Sequence, residues 1–363
     1  MIWPDTETAV DLREKFANTL FDEVASPWHK SFARVPRHVF VPRFYEQQAD
    51  ASWAAVNWGD EGYLERIYSD EALTTQLDAG GVPTSSSSQP SVMAMMLEAL
   101  DVRTGHRVLE IGTGTGYNLA LLCDQLGDKE LASVEPDVDI VQAAVRRLEQ
   151  TGQRPVVFAG DGMQGYPARA PYDRIIATVG LTHIPPALLE QGSQFGTRIV
   201  APLGYGIISL TVKGPELAHG SFLPIPAFFM SVRGPANVPD FASVHEAPSE
   251  PSSVAPHEVL DRLKFALSIA LPGYTTCSWK DDDGRLEAVG IWTPDGSAAI
   301  AQASGQVRQA GPRRVWDAVE EASRVLPEQI EREDFELTIT PAGQLVTYGG
   351  VDGPSWHLPV PPR

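Results

Sequence analysis

The chain has 363 residues, 43% of them hydrophobic, and a formal net charge of −19. That length exceeds one typical domain and predicts two, with enough apolar content to bury a full core. A surface this acidic repels nucleic acid and anionic membranes, which argues against both as partners, and is first of all a solubility device.

The N-terminus, MIWPDTETAVDLREKF, is charged early and has no apolar signal-peptide stretch, and no run of apolar residues is long enough to predict a membrane span. Two widely spaced cysteines, Cys123 and Cys277, form no Cys/His cluster, so no metal site is expected. Their scarcity fits a reducing, cytoplasmic compartment, and Cys123 reads as a buried apolar filler.

Residues 6–26 place Val10, Leu12, Phe16, Leu20, Phe21 and Val24 close to a helical period. FARVPRHVFVPRFY (32–45) reads as a second short helix broken at its prolines, and the acidic stretch 50–83 as loop and short strand. Trp53 and Trp58 in that stretch suit either a peptide groove or ordinary packing. The polar run TSSSSQP (84–90) precedes a helix, SVMAMMLEALD, with Pro90 in its first turn. Strands and helices then alternate: RVLEIG, YNLALLCDQLG, LASVEP, DVDIVQAAVRRLEQTG, PVVFAGD, DRIIATVG, a helix after His183-Ile184-Pro185-Pro186, and RIVAPLGYG. This alternation predicts a parallel α/β sheet. GIISLTVKG and SFLPIPAFFMSV are expected to pair as a hairpin at its edge, making the sheet mixed. Residues 235–256, rich in Pro, Ser and Ala, read as a linker or wrapping segment. HEVLDRLKFALSIAL reads as a helix, TTCSWKD and LEAVGIWT as a hairpin around Asp-Asp-Gly, and SAAIAQA as a strand. RRVWDAVEEASRVL as a helix and FELTITPAGQLVTYGG as a hairpin complete a small α+β unit. The expected domains are an N-terminal covering segment (1–83), a core (84–234), the linker (235–256) and the C-terminal unit (257–363).

VLEIGTGTGY (108–117) carries the chemistry. A dinucleotide fingerprint is G-x-G-x-x-G; here the third glycine arrives one residue early and Tyr117 occupies its place. No Gly-Lys-Ser/Thr follows, so a Walker phosphate loop is excluded as well. Gly112, Gly114 and Gly116 still let backbone approach a ligand closely. Glu110, before the loop, can accept from an amino-acid ammonium directly or through water. Glu135 ends the second core strand, where a carboxylate meets ribose hydroxyls. Asp161, in Ala159-Gly160-Asp161-Gly162, ends the third and can accept from an adenine N6. Glu135 alone reads equally as a helix-capping acid, but three acids at successive strand ends describe S-adenosylmethionine. The cofactor-binding set is thus Glu110, Gly112, Thr113, Gly114, Gly116, Tyr117, Glu135, Asp161, Gly162 and Val179, with Tyr117 either packing on the cofactor or filling the core.

TSSSSQPSVMAMMLEAL, RVLEIGTGTGYNLALL, VEPD, GDG and IPPALLEQ, in that order and with FARVPRHVFVP upstream, resemble the protein-L-isoaspartate O-methyltransferases over roughly residues 28–232. The resemblance implies a Rossmann-like class I methyltransferase fold with a mixed sheet and helices on both faces, beside a smaller C-terminal α+β domain. It also implies S-adenosylmethionine as cofactor and a peptide or protein substrate bearing a target carboxylate. The family typically reads Thr-Ile-Ser-Gln-Pro where this chain has Ser86-Ser87-Ser88-Gln89-Pro90. Ser88 therefore matches the family's active-site serine, and Ser87 is placed beside it as a second catalytic contact. Without the resemblance, the serine run reads as a flexible polar linker. The departure from Thr-Ile and the added C-terminal unit resemble members found beside peptide-maturation enzymes, of the ATP-grasp macrocycle-ligase kind. Those methylate an ordinary aspartate of a ribosomally made, macrocyclised peptide, and the methyl ester then closes to a succinimide. Isoaspartate repair is the alternative, and a non-catalytic scaffold that binds cofactor and peptide the third. His183 reads as a solvated turn residue, or else one that orients substrate. The C-terminal unit, with Trp279, Trp292 and Trp316, is expected to grip peptide or pack over the site, although Trp316 falls in a helix and suits the core. The sequence does not specify an oligomeric state.

Overall fold

The computed structural model describes residues 4–21, 26–192, 196–230 and 241–360. The chain divides into a first unit of Met1–Val179, Pro185–Ala201 and Thr211–Pro215 and a second of Gly180–Ile184, Pro202–Leu210 and Glu216–Arg363.

In the first unit, helix α1 spans Glu7–Leu20 and is capped by Thr6, whose hydroxyl accepts from the Ala9 N–H at 3.2 Å. Val24, expected on the same helix, lies outside the described residues. Ser26 and Pro27 open α2 (Pro27–Arg34), and Pro36 separates it from the single turn α3 (Arg37–Phe40). The segment expected to be loop is more regular than its composition suggests. Strands β1 (Arg43–Gln47), β2 (Trp53–Asn57), β3 (Leu73–Leu77) and β4 (Pro83–Ser87), with the short helix α4 (Tyr63–Ile67), form an antiparallel sheet of order β2-β1-β3-β4. The serine run is therefore a strand and not a flexible linker: Leu73 pairs with Ser87 and Thr74 with Ser86. Register shifts around Gln76 distort the ladder, and few side chains of β4 are apolar, which is why periodicity missed it.

Helix α5 (Pro90–Leu100) has Pro90 at its first position, as expected. After it come β5 (Val108–Ile111), α6 (Tyr117–Leu126), β6 (Leu131–Glu135), α7 (Val138–Gln150), β7 (Val156–Ala159), β8 (Arg174–Ala177), α8 (Pro186–Glu190) and β9 (Arg198–Leu203). The parallel strands run in the order β9-β8-β5-β6-β7, with Leu109 beside Ala132 on one side and Ile175 on the other. The chain builds outward from β5 through β6 and β7 and then returns to β5's other side as β8. The β5/β8 seam is thus the topological switch point, where open sheets of this kind bind ligands at strand C-termini. Leu109, Val134, Ile175 and Ile176 are buried in the sheet, and Leu119, Leu122, Ala144 and Leu148 on the helices. Phe16 and Phe40 join the same interior through the rings of Phe32 and Tyr117.

Strand β10 (Gly206–Gly214), which belongs to the second unit as far as Leu210, pairs with β11 (Leu217–Phe222), and the hairpin is not at an edge. The second strand is thus LAHGSF, not the expected SFLPIPAFFMSV, of which only Ser221 and Phe222 are in it and whose residues 231–232 lie outside the described set. Beyond it, in the order β10-β11-β17-β18-β19, lie strands from the end of the chain. Helix α9 (Phe241–Glu246) and β12 (Glu250–Pro251) fall within the 235–256 stretch, whose residues 235–240 lie outside the described set. The run 257–271 is two helices, α10 (His257–Leu260) and α11 (Lys264–Ala270); the Leu263 N–H bonds the Glu258 carbonyl across the break. Then follow β13 (Thr275–Lys280), β14 (Leu286–Trp292), β15 (Ala298–Gln302), β16 (Gln306–Ala310), α12 (Val315–Val325), β17 (Phe335–Thr340), β18 (Gly343–Tyr348) and β19 (Ser355–His357). A second sheet, β12-β16-β15-β14-β13, is antiparallel throughout. Among the described residues no helix is long and apolar enough to cross a membrane.

Candidate active site

The glycine loop occupies the switch point. Thr178, just past β8, fixes it there: its N–H donates to Ile111 O at 2.8 Å and its hydroxyl to Gly112 O at 2.6 Å. Gly112 has φ of +92°, and a Cβ there would stand 2.9 Å from Thr178 Oγ1. Both conformation and space therefore demand glycine. A Cβ on Gly162 would meet Ile111 Cγ2 at 2.5 Å, so the end of β7 is pressed as closely onto β5.

Beneath the loop lies a sealed polar chain. Glu110 is 0% exposed. Its Oε1 accepts from Asn118 Nδ2 at 2.7 Å and its Oε2 from the Ser133 hydroxyl at 2.6 Å, while Ser133 and Thr113 hydroxyls are 2.6 Å apart. Burial pushes its carboxyl up to about 7, against the pull of the Ser133 and Asn118 hydrogen bonds. Direct contact with a ligand's ammonium is thus not how Glu110 is placed; it underpins Thr113. Tyr117 also turns inward: it is buried, with Phe32 and Phe40 rings about it at 6.1 and 5.9 Å. Of its two readings, core filling is the one realised.

Glu135 ends β6 with its carboxylate drawn to the loop, accepting from the Gly114 N–H at 3.1 Å and the Asp137 N–H at 3.3 Å. Asp161 is exposed just past β7 and accepts from the Met163 N–H at 2.9 Å. Val179, half-buried, directly follows Thr178 past the end of β8. The three acids stand in or just past the last residues of β5, β6 and β7 in the expected order, Glu110 sealed, Glu135 buried against the loop and Asp161 exposed.

The serine strand closes on the same loop. A Cβ on Gly114 would stand 3.6 Å from Ser86 O and 3.9 Å from Ser85 Oγ. Ser85, Gln76, Gly114, Thr115 and Arg147 line a common cavity of about 190 Å³. Gln76 Nε2 ties the hairpin to Asp137 at 3.2 Å. Ser88, half-buried, follows β4, and its hydroxyl makes no hydrogen bond among the described residues. Ser87 is different: it is buried, and its Oγ accepts from Arg37 Nη2 at 3.3 Å. It does not stand beside Ser88 as a second exposed contact, because alternation along β4 turns it inward.

Arg37 is the residue that sequence reasoning missed. Fully buried, its guanidinium donates to the carbonyls of Ile67 (2.9 Å), Ser69 (3.1 Å), Glu71 (2.9 Å) and Ser88 (3.2 Å). Burial lowers its pKa to about 10, still charged at neutral pH. The only signal was an arginine set between apolar residues in VPRHVFVP. Trp58 is accounted for by packing, its ring 5.1 Å from His38 and 5.5 Å from Tyr63.

In the second unit, His183 is buried and not solvated, with Nδ1 3.3 Å from Thr182 Oγ1, and burial lowers its pKa. Trp316 is core, and Trp279 and Trp292 pack edge-on against Phe241, so the three tryptophans form no joint surface.

Residues 22–213 match the sequence profile described as Protein-L-isoaspartate(D-aspartate) O-methyltransferase (PCMT). The chain is 37% identical over 196 residues to Protein-L-isoaspartate O-methyltransferase 1 of Archaeoglobus fulgidus, covering 53% of this chain and 79% of that one. It is 36% identical over 176 residues to the Protein-L-isoaspartate O-methyltransferase of Thermotoga maritima, covering 48% of this chain and about half, 49%, of that one. A solved protein-L-isoaspartate O-methyltransferase aligns with a TM-score of 0.55 at 22% identity, over 93% of this chain and 100% of its own. At that coverage the alignment must extend into the C-terminal unit, so a unit after the core is not peculiar to this chain.

Proposed function

We infer the reaction from one premise: the chain belongs to the protein-L-isoaspartate(D-aspartate) O-methyltransferase family. With membership come the class I methyltransferase fold, S-adenosylmethionine as cofactor, and methyl transfer to a carboxylate as the class of reaction. On this chain we propose an isoaspartyl side chain in a peptide or protein as the acceptor.

The observation that carries this reading is the closure of the serine strand on the glycine loop, with the unpartnered Ser88 hydroxyl two residues beyond Ser86. The loop amides of Gly112–Gly116, Glu135 and Asp161 would hold the cofactor. Glu110 would act from below, its carboxyl reaching the loop through Ser133 and Thr113. The bound sulfonium supplies an electrophilic methyl group. The chain's own task is positioning: an acceptor carboxylate with a pKa near 4 is already ionised, so no general base is required. Ser88 donates to the carboxylate oxygen that does not attack, leaving the other aligned, and alignment of this kind lowers barriers by roughly 7–11 kcal/mol.

Two features first suggested an ordinary aspartate in a macrocyclised peptide. One, the C-terminal unit, has a counterpart in a solved relative. The other, Ser86-Ser87 for Thr-Ile, falls half on Ser87, which serves Arg37. Ser86, on the loop-facing strand, is the observation that keeps this second reading. Incubation with isotope-labelled S-adenosylmethionine and paired isoaspartyl and aspartyl peptides, linear and macrocyclised, separates them. Label on the linear isoaspartyl peptide is expected; label confined to the macrocyclised aspartyl peptide would establish the second reading instead. Tight cofactor binding with no acceptor labelled would leave only a scaffold.

A further inference from the structure

The second unit contains a cavity of about 540 Å³ whose lining is unlike the rest of the chain. In a protein of net charge −19, its only charged lining residues are cations, Lys264 and Arg332. Among the described residues neither has a carboxylate within ion-pair distance. Each is instead set over a ring: Lys264 Nζ lies 5.7 Å from the Tyr205 centroid and the Arg332 guanidinium 5.5 Å from that of Phe265. Arg332 Nε is buried with no hydrogen-bond partner among the described residues. Buried donors are nearly always satisfied, and one left open beside a cavity points to an acceptor from outside.

Among small, proline and hydroxyl-bearing residues, the remaining walls carry the aromatic side chains Tyr205, Tyr274, Phe228 and Phe229. Tyr205 and Tyr274 are 5.2 Å apart, and their hydroxyls are spent on backbone, donating to Tyr274 O (3.1 Å) and Lys264 O (2.8 Å). The hydroxyls are thereby occupied and the rings held in place. Phe228, 5.5 Å from Tyr205, is 75% exposed, a large apolar side chain left in water at the rim. Unpaired cations with rigid rings match an anion joined to an apolar body.

We propose that this cavity docks an acidic, aromatic-bearing segment of the peptide substrate, its carboxylate taken by Lys264 and Arg332 and its ring by Tyr205, Tyr274 and Phe228. That the occupant belongs to the substrate rests on the reading of the chain as a peptide carboxyl methyltransferase; the pocket's chemistry does not.

The test uses the full chain and a fluorescein-labelled peptide, Gly-Glu-Phe-Glu-Phe-Gly, followed by anisotropy. A second probe replaces each Glu by Gln. The acidic probe is expected to bind roughly tenfold more tightly than the neutral one, the range for a charge-assisted hydrogen bond. Lys264→Glu and Arg332→Gln should abolish that preference, and Phe228→Ala should weaken both probes. Binding of S-adenosylhomocysteine, measured on the same variants, reports folding. Equal affinity for the two probes, or an unchanged preference in both cation variants, overturns the proposal even where methyl transfer is intact. Probe binding in a chain that labels no acceptor supports the pocket and removes the reaction. Displacement by phenylacetate as effective as by unlabelled peptide assigns the pocket to a small aromatic acid and overturns the peptide.

Discussion

Arg37 Nη2 donates to the carbonyl oxygen of Ser88 at 3.2 Å, so a buried cation holds the backbone from which the proposed substrate contact projects. Among the described residues no carboxylate is bonded to Arg37; its partners are carbonyls and the Ser87 hydroxyl. Arg37→Lys keeps the charge and loses the planar fork, leaving several buried carbonyls without donors. We expect a stability loss of about 2–3 kcal/mol in urea titration, from one to two unsatisfied groups. Methyl transfer should fall further than cofactor binding does, because the carbonyls released include that of Ser88. Unchanged turnover in a stable variant would detach Arg37 from the site.

Ser87 and Ser88 are adjacent yet predict opposite phenotypes. The Ser88 hydroxyl has no hydrogen-bond partner among the described residues, so Ser88→Ala should leave the melting temperature unchanged and lower kcat/KM by roughly 10- to 100-fold, one charge-assisted hydrogen bond. Ser87→Ala removes an acceptor from Arg37 and should cost about 1 kcal/mol of stability, with a smaller effect on rate. Melting curves and initial rates on the isoaspartyl peptide decide it; a Ser88→Ala variant with full activity removes the serine from catalysis.

The parallel sheet was legible because each of its strands is a short apolar run bounded by turn residues, and alternation with amphipathic helices leaves one topology. The β1–β4 sheet was not, since its strands mix Trp, Thr, Gln and Ser and its order depends on pairing across distant turns. The acids Glu110, Glu135 and Asp161 could be placed at strand ends from spacing alone. Their depth could not: whether a carboxylate is sealed or open depends on what packs above it, here Ser133, Asn118 and Thr113. Arg37 was invisible for the same reason, as its acceptors come from two stretches of chain, 67–71 and 87–88, both distant from it in sequence.

Glu110 makes stability pH-dependent with a definite sign. Its ordinary value is 4.5, and in the folded protein burial raises it to about 7. Between those values the native state holds a proton that the unfolded chain has released. The contribution is therefore full below about pH 4.5 and is lost as pH rises to 7, by about 3 kcal/mol at most. Glu110→Gln cannot titrate, and Asn118, whose Oδ1 is buried without a partner, can turn its amide to accept the new N–H. Urea midpoints at pH 5 and pH 8 should diverge in the unmodified protein more than in the variant. Identical pH dependence in the two would mean Glu110 is ionised throughout.

Gly105 and Gly112 separate a glycine needed for its backbone angle from one needed also for its space. Gly105 and Gly112 both have positive φ, +88° and +92°. A Cβ on Gly105 would meet nothing within 4 Å, whereas one on Gly112 would press on Thr178 Oγ1, the atom that bonds the Gly112 carbonyl. Gly105→Ala carries only the conformational cost, about 1 kcal/mol, and should bind S-adenosylhomocysteine normally. Gly112→Ala adds a clash that displaces either the loop or Thr178, and with it the amides proposed to hold the cofactor. Calorimetric titration should show at least a roughly 100-fold loss, equal to two of these charge-assisted contacts. Shortening the neighbour with Thr178→Ser retains the hydroxyl but removes a methyl, and should not rescue, since the clash is with the oxygen. Normal affinity in Gly112→Ala, or equal losses at both glycines, would mean that the β5/β8 seam does not cradle the nucleoside and that the order of acids along β5, β6 and β7 has another cause.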